Sequence, residues 1–424
     1  MTTRILQLSF IAICAAGTAF LAAQTGTSVP LPDPLVMENG TRVTTAAQWR
    51  TARRPELLAL FTREMYGVAP PRSPKESFTV FDNTPGALNG KAIRRQVTIL
   101  INGDPNGPKF DLLMYLPRAA KGRSPTILGM NFYGNHAVSS DPAIRMEPAA
   151  QLGPQPGQNP CSGADSKPEP CRGTNAVQWP LDEMLEKGYA VATFSRLDID
   201  PDTKDGFAKS LKSFYPELQN RPDNFSTIGE WAWAFSRAMD YLETDRAVDA
   251  KKVAIFGWSR LGKAALWAGV NDERFAATIS NDSGAGGAKL FHRGIAENVM
   301  RLNTAFPQWF DQNFRKYNNQ DKSMPFDQHE LIALIAPRLV YVASADKDAN
   351  ADPEGEFESA WLAGPVFKLL GKQPLQADRF PPVDHPVEGD VSYHVRTGGH
   401  DVLPYDWEQY LKFLDQRMVG RKAR

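Results

Sequence analysis

Ser259 is the residue of this sequence best placed to do chemistry. It lies in Gly257-Trp258-Ser259-Arg260-Leu261-Gly262, after the apolar run Lys252-Val253-Ala254-Ile255-Phe256 and before an Ala- and Leu-rich stretch reaching Val270. A strand that breaks into a tight turn and then a helix lifts a serine Oγ above the end of a sheet, where it can attack an acyl carbonyl. Gly257 leaves the room such a turn needs ahead of the serine. The usual pattern has a second glycine two residues after the nucleophile; here Leu261 holds that position and Gly262 follows. A serine that merely caps the helix is the alternative. The first N–H groups of the helix face the serine. The amide of Arg260 is therefore the natural donor to a tetrahedral oxyanion, and the Arg260 guanidinium adds positive charge beside it.

A nucleophilic serine needs a base, and an acid to orient that base. The histidines are His136, His292, His329, His385, His394 and His400. In chains built around such a turn, the acid follows the serine and the histidine comes last. His400 fits, because Val391-Ser392-Tyr393-His394-Val395-Arg396 reads as the last strand and Thr397-Gly398-Gly399-His400 as the loop beyond it. Two glycines let that loop bring an imidazole over the sheet end. His394 falls inside the strand and reads as a packed residue; His385 is a second loop candidate. For the acid, Asp346 and Asp348 follow the strand ending near Ser344, while Asp282 follows Thr278-Ile279-Ser280. Asp348 is favoured and Asp282 is the alternative, although each also suits a plain turn.

The elements that must carry these groups alternate along the chain. Arg95 to Ile101 and Phe110 to Leu116 predict two strands paired antiparallel around the Asn102–Gly107 turn. Further strands are predicted at Ser124–Asn131, Gly188–Phe194, Lys252–Gly257, Phe275–Ser280, Arg338–Ser344 and Val391–Arg396. Helical periodicity covers Trp49 to Tyr66, Glu230 to Leu242, Leu261 to Val270 and Trp407 to Met418. This alternation predicts an α/β-hydrolase fold: a three-layer sandwich with a mostly parallel central sheet and an N-terminal antiparallel hairpin. One catalytic domain is expected over residues 24–424, with a Pro- and Gly-rich loop insertion at about 138–178.

Composition narrows the partners. The 424 residues carry 48 basic and 48 acidic side chains. Such a balanced chain without a basic stripe offers nothing to nucleic acid or to an anionic membrane surface. A small or neutral substrate is expected, with no cofactor or metal, on a monomer. Arg4 precedes an apolar run from Ile5 to Ala23 that ends in small residues. That is the pattern of a signal peptide over 1–23 and a secreted or periplasmic protein; an anchoring helix is the alternative. Cys161 and Cys171 remain beyond it, in the insertion. An even pair in an exported chain suggests a disulfide, and two cysteines are too few for a structural zinc site.

Taken together, these residues resemble the glucuronoyl esterases, carbohydrate esterase family fifteen, especially their bacterial members, over about residues 95–415. The resemblance is carried by Asn131-Phe132-Tyr133-Gly134-Asn135-His136, by Asp198-Ile199-Asp200-Pro201-Asp202 with Asp205-Gly206, by Gly257 to Lys263, by Asp282-Ser283-Gly284-Ala285-Gly286-Gly287, and by Gly399-His400. Its serine-arginine-x-glycine-lysine turn accounts for the displaced glycine. The resemblance implies Ser259 as nucleophile, His400 as base, Arg260 as an oxyanion-stabilising arginine, Lys263 as a contact to sugar hydroxyls and Glu297 as a substrate-contacting glutamate. Members of the family carry the acid in one of two places, and this chain has an aspartate at both, Asp282 and Asp348. Fungal relatives have glutamate at the first; the shorter Asp282 favours Asp348.

Two positions depart from the family pattern. Asn350 stands where relatives often have a tryptophan that helps hold the uronate, and Asn175-Ala176-Val177-Gln178-Trp179 lacks the more usual serine-arginine before its tryptophan. Trp179 and Trp309 are further candidates to line the cleft, core packing being the alternative. The implied reaction is hydrolysis of (4-O-methyl-)glucuronate esters, as in links between glucuronoxylan and lignin alcohols, through an acyl-enzyme. The alternatives are another carbohydrate esterase, such as an acetyl-xylan esterase, or a non-catalytic glycan-binding descendant.

Overall fold

The computed structural model describes residues 30–146 and 171–421. The predicted opening hairpin is present as β2 (Ala92–Leu100) and β3 (Lys109–Pro117), in register from Ala92 opposite Pro117 to Leu100 opposite Lys109. Ahead of it lies β1 (Ser77–Ala87), an antiparallel edge strand that pairs with β2. Parallel strands follow: β4 (Ser124–Asn131), β5 (Ala190–Ser195), β6 (Val248–Trp258), β7 (Ala277–Asn281), β8 (Leu339–Ala345) and β9 (Val391–Arg396). All nine form one sheet in the order β1-β2-β3-β5-β4-β6-β7-β8-β9.

Alternation along the strands builds two cores, because successive side chains leave a strand on opposite faces. Leu128 and Met130 of β4, Val253 and Ile255 of β6, and Val340 and Val342 of β8 join one cluster, with the helices Thr227–Leu242 and Arg260–Asn271 against it. Their neighbours Ile127, Ala254, Phe256, Tyr341 and Ala343 join the other, under the helices Leu181–Glu186 and Pro404–Phe413. Helices thus cover both faces of a mostly parallel sheet, the three-layer α/β-hydrolase arrangement expected from the sequence.

Helix Thr227–Leu242 buries every residue except Ser236 and is capped by Ser226, whose Oγ accepts from Gly229 N at 3.0 Å. The predicted Trp49–Tyr66 helix is interrupted: α-helix Arg54–Phe61 lies between π-turns Trp49–Arg53 and Thr62–Tyr66. The last α-helix stops at Phe413 and continues as π-turns to Val419. No helix among the described residues is long and apolar enough to cross a membrane. The signal segment 1–23 and Cys161 lie outside the described residues, while Cys171 is buried and disulfide-bonded.

Candidate active site

Four parallel strands, β6 to β9, end on one edge of the sheet, and each hands a loop to the same place. At the end of β6 the chain reverses through Ser259, whose φ of 57° and ψ of −132° are rarely adopted by a residue with a side chain. Its amide is held by Asn281 O at 2.9 Å. A Cβ on Gly257 would sit 2.0 Å from Leu261 O, so only glycine fits there. The displaced glycine has its own reason. A Cβ on Gly262 would come within 2.9 Å of Ser283 Cβ and 3.1 Å of Gly257 O, so Gly262 lets the helix start pack against the loop after β7. Leu261, where the usual pattern has glycine, is fully buried in the core.

The loop after β9 delivers His400. Its Nε2 lies 2.9 Å from Ser259 Oγ and its Nδ1 lies 2.5 Å from Asp348 Oδ2. Asp348 is fixed from the loop after β8: its amide donates to Ala345 O at 3.0 Å, and its Oδ1 accepts from Ala351 N at 3.2 Å. Burial alone would raise the Asp348 carboxyl, but the hydrogen bond and charge of His400 outweigh it and hold it below the usual range. Asp346, the other acid after β8, laces the two loops instead, accepting from Gly398 N at 2.7 Å.

Asp282 sits beside this chain of contacts without entering it. Its Oδ2 meets Arg396 Nη2 at 3.4 Å, and no hydrogen bond joins it to the imidazole. Burial, with Glu356 nearby, pushes its carboxyl well above the ordinary range. Among the described residues, Asp282, Asp348 and His400 are the one group whose donor atoms, all within 4.8 Å of one another, suit a metal ion. Both ring nitrogens of His400 are already engaged, an arrangement suited to proton transfer.

Sequence reasoning missed two residues that hold the loops. Arg396, buried at the end of β9, donates to Gly399 O at 3.1 Å and to Asp401 O at 2.5 Å, the carbonyls on either side of His400. Its Nε donates to Asp406 Oδ2 at 2.7 Å. Glu356 is fully buried and accepts from Ser283 Oγ at 3.1 Å, Gly284 N at 2.8 Å and Ser344 Oγ at 2.6 Å. It therefore ties the turn after β7 to the end of β8, and burial pushes its carboxyl up to about 7. Neither carried a readable signal, since a strand-end arginine and a helix glutamate have many ordinary uses.

The remaining candidates take varied places. Arg260 directs its guanidinium at Asp202, with Nη1 2.5 Å from Oδ2, over the faces of Trp309 and Phe306. Trp309 is buried with its Nε1 on Asp202 Oδ1 at 2.7 Å, so it backs Arg260 instead of facing open cleft. Trp179 is core, edge-on to Phe256 and tilted against Trp407. Lys263 is buried, and its Nζ donates to Ser283 O and Ala285 O, both at 2.6 Å. An ammonium has three N–H groups, and Glu297 Oε2 lies 3.8 Å from this one. Glu297 is half-buried and Asn350 is exposed. His394 is packed between Tyr341 OH at 3.0 Å and Asp406 at 2.8 Å, and His385 is exposed on a loop.

Comparison with known proteins places the chain in a family. The family described as "Glucuronyl esterase, fungi" matches residues 172–371. A carbohydrate esterase from an unknown prokaryotic organism is 44% identical over 395 residues, covering 92% of this chain and 90% of the relative. The structure of a glucuronoyl esterase from Solibacter usitatus superposes with a TM-score of 0.84 at 43% identity, covering 92% of this chain and 98% of that one. A promiscuous CE15 esterase from a marine bacterial metagenome superposes with a TM-score of 0.86 at 42% identity, covering 93% and 98%. With a serine at a strained strand-to-helix turn and this likeness over nearly its whole described length, the chain belongs to the glucuronoyl esterases of carbohydrate esterase family fifteen.

Proposed function

We propose that this protein hydrolyses C6 esters of glucuronate, including the 4-O-methyl-glucuronate of xylan esterified to a lignin alcohol, with Ser259 as nucleophile. The observation that carries the reading is the unbroken chain Ser259 Oγ, His400, Asp348, at 2.9 and 2.5 Å, on the strained turn. In the reaction, Ser259 Oγ attacks the ester carbonyl as His400 Nε2 takes its proton. The Arg260 amide and guanidinium stabilise the oxyanion. The alcohol leaves with the proton from His400, and water then releases the acid from the acyl-enzyme by the same steps. Glu297 and the remaining N–H of Lys263 lie next to one another and suit paired acceptor and donor contacts to ring hydroxyls. The charged, apolar and small-residue order of 1–23 supports export, where such a polymer is met.

The test compares benzyl glucuronate with an acetylated xylose, for the parent and Ser259→Ala. Turnover of the uronate ester by the parent and its loss in the variant is the expected result. A parent that cleaves only the acetate overturns the substrate, and a fully active Ser259→Ala variant overturns the nucleophile. Asn350 favours a second reading, a broader carbohydrate esterase, because an exposed amide grips a uronate less than an aromatic face does.

A further inference from the structure

The segment Asp198-Ile199-Asp200-Pro201-Asp202 carries part of the family resemblance, yet the mechanism above gives it no task. Its last residue is the hub of a buried cluster. The Asp202 carboxylate is fully buried and receives four side chains from three elements. Its Oδ1 accepts from Trp309 Nε1 at 2.7 Å and Gln308 Nε2 at 3.1 Å; its Oδ2 accepts from Arg260 Nη1 at 2.5 Å and Arg196 Nη1 at 3.3 Å. The Asp202 backbone is left-handed, with φ 59°, and its amide is held by Asp200 Oδ1 at 2.6 Å. Such a conformation costs an ordinary residue about 1 kcal/mol or more. That cost is borne to put one carboxylate at one point.

That point faces the reaction. Arg260 follows the nucleophile directly, and its guanidinium has few ways to hold still: it lies 4.9 Å from the Trp309 ring centre and 5.3 Å from that of Phe306. These two rings are themselves stacked 3.8 Å apart. Because Asp202 grips both Trp309 and Arg260, it sets the guanidinium and the ring beneath it together. It also leaves charge over. One carboxylate stands between two guanidiniums, so this corner keeps about one positive charge. The Nε and Nη2 of buried Arg196 have no hydrogen-bond partner. A corner with surplus positive charge and little water favours a developing oxyanion more than a neutral ester carbonyl, which is the difference that accelerates a reaction.

We propose that Asp202 is the positioning residue for the oxyanion-stabilising arginine, fixing the Arg260 guanidinium and its Trp309 platform while leaving the Arg196–Arg260 pair under-neutralised. The proposal rests on the esterase reading above. Its effect falls on kcat, since ground-state binding of a neutral ester gains little from that charge.

The experiment is a double-mutant cycle of Asp202→Asn and Arg260→Ala, read on both benzyl glucuronate and 4-nitrophenyl acetate. For Asp202→Asn we expect kcat to fall about 10- to 100-fold with KM within about 3-fold. In the Arg260→Ala background the same change should cost less than about 3-fold, because a residue acting through another has nothing left to position. Asp202→Gly separates this from the backbone: glycine accepts the left-handed conformation freely but strips two buried guanidiniums of their carboxylate, so it should melt below the parent, while kcat, read well below that melting temperature, falls as in Asp202→Asn. Losses that multiply in the double variant, or an Asp202→Gly enzyme with parental kcat, overturn the proposal. A parent inert on the glucuronate but active on the acetate would sink the substrate assignment alone, with the cycle still readable on the acetate.

Discussion

Replacing Asp348 by asparagine changes one atom of the chain behind His400, and its cost follows from the geometry. The carboxylate accepts from His400 Nδ1 at 2.5 Å, which fixes the proton on Nδ1 and leaves Nε2 free to receive the one from Ser259. An asparagine can present its NH2 group to Nδ1, which then turns acceptor. The proton moves to Nε2, where it blocks the base. The variant also loses the negative charge that steadies the imidazolium. In a fully enclosed triad such a change costs about 10⁴ in kcat. Here the His400 side chain is 43% exposed, so water screens part of that charge. We therefore expect kcat on benzyl glucuronate to fall about 10³-fold, about 4 kcal/mol in the barrier, with KM nearly unchanged. Asp282 cannot take over, being turned to Arg396 with a carboxyl that burial drives toward the neutral form. Asp282→Asn should lose less than about 10-fold by the same assay. An Asp348→Asn enzyme keeping more than a tenth of parental kcat, or an Asp282→Asn enzyme falling further than it, would refute this division.

Gly257→Ala should destabilise the protein by about 2 kcal/mol or more and remove nearly all activity, since its Cβ would lie 2.0 Å from Leu261 O; a parental melting temperature and rate would show that the turn has slack. Glu356 has an ordinary value of 4.5 and a folded value of about 7, so between those the folded state holds a proton that the unfolded chain lacks. Its contribution to stability is full below pH 4.5 and is lost as pH rises through 7, up to about 3 kcal/mol. The melting temperature of the parent minus that of Glu356→Gln should accordingly drop between pH 4.5 and pH 8; a constant difference refutes it. Asn350→Trp should lower KM for benzyl glucuronate about 2- to 10-fold, the worth of one aromatic face, and leave 4-nitrophenyl acetate unaffected; equal changes on both esters would deny Asn350 a place at the uronate.

The strands that carry the site were legible because each is buried on both faces and bounded by turn residues. β4 and β9 begin and end where the sequence predicts, at Ser124–Asn131 and Val391–Arg396. β1 was not, for the opposite reason. It is an edge strand, largely exposed, with irregular register at Val80/Asp82 and Pro85/Ala87, so its polar residues carry no alternation. The meeting of Ser259 and His400 could be read from residue order and loop glycines, because that order follows from strand order; the same order left both Asp348 and Asp282 open as the acid. The Asp202 cluster could not. It joins Arg196, Arg260 and Trp309 from distant segments, and only packing tells that one carboxylate serves them all.

The presence of an aspartate at both acid positions has a physical resolution in Arg396. This arginine meets Asp282 and Asp406 and spends its other N–H groups on the carbonyls of Gly399 and Asp401. His400 is thus held twice, through its ring by Asp348 and through the carbonyls on either side of it by the Arg396 guanidinium, which Asp282 meets at 3.4 Å. The acid in the loop after β7 comes within 4.8 Å of both His400 and Asp348, but its Oδ2 is turned to Arg396 and its Oδ1 makes no hydrogen bond. The acid after β8 reaches His400 Nδ1 directly, and the amide of Ala351 fixes its second oxygen. The two acids therefore divide their roles by partner: Asp348 orients the imidazole itself, and Asp282 contacts the arginine that fixes the loop around it.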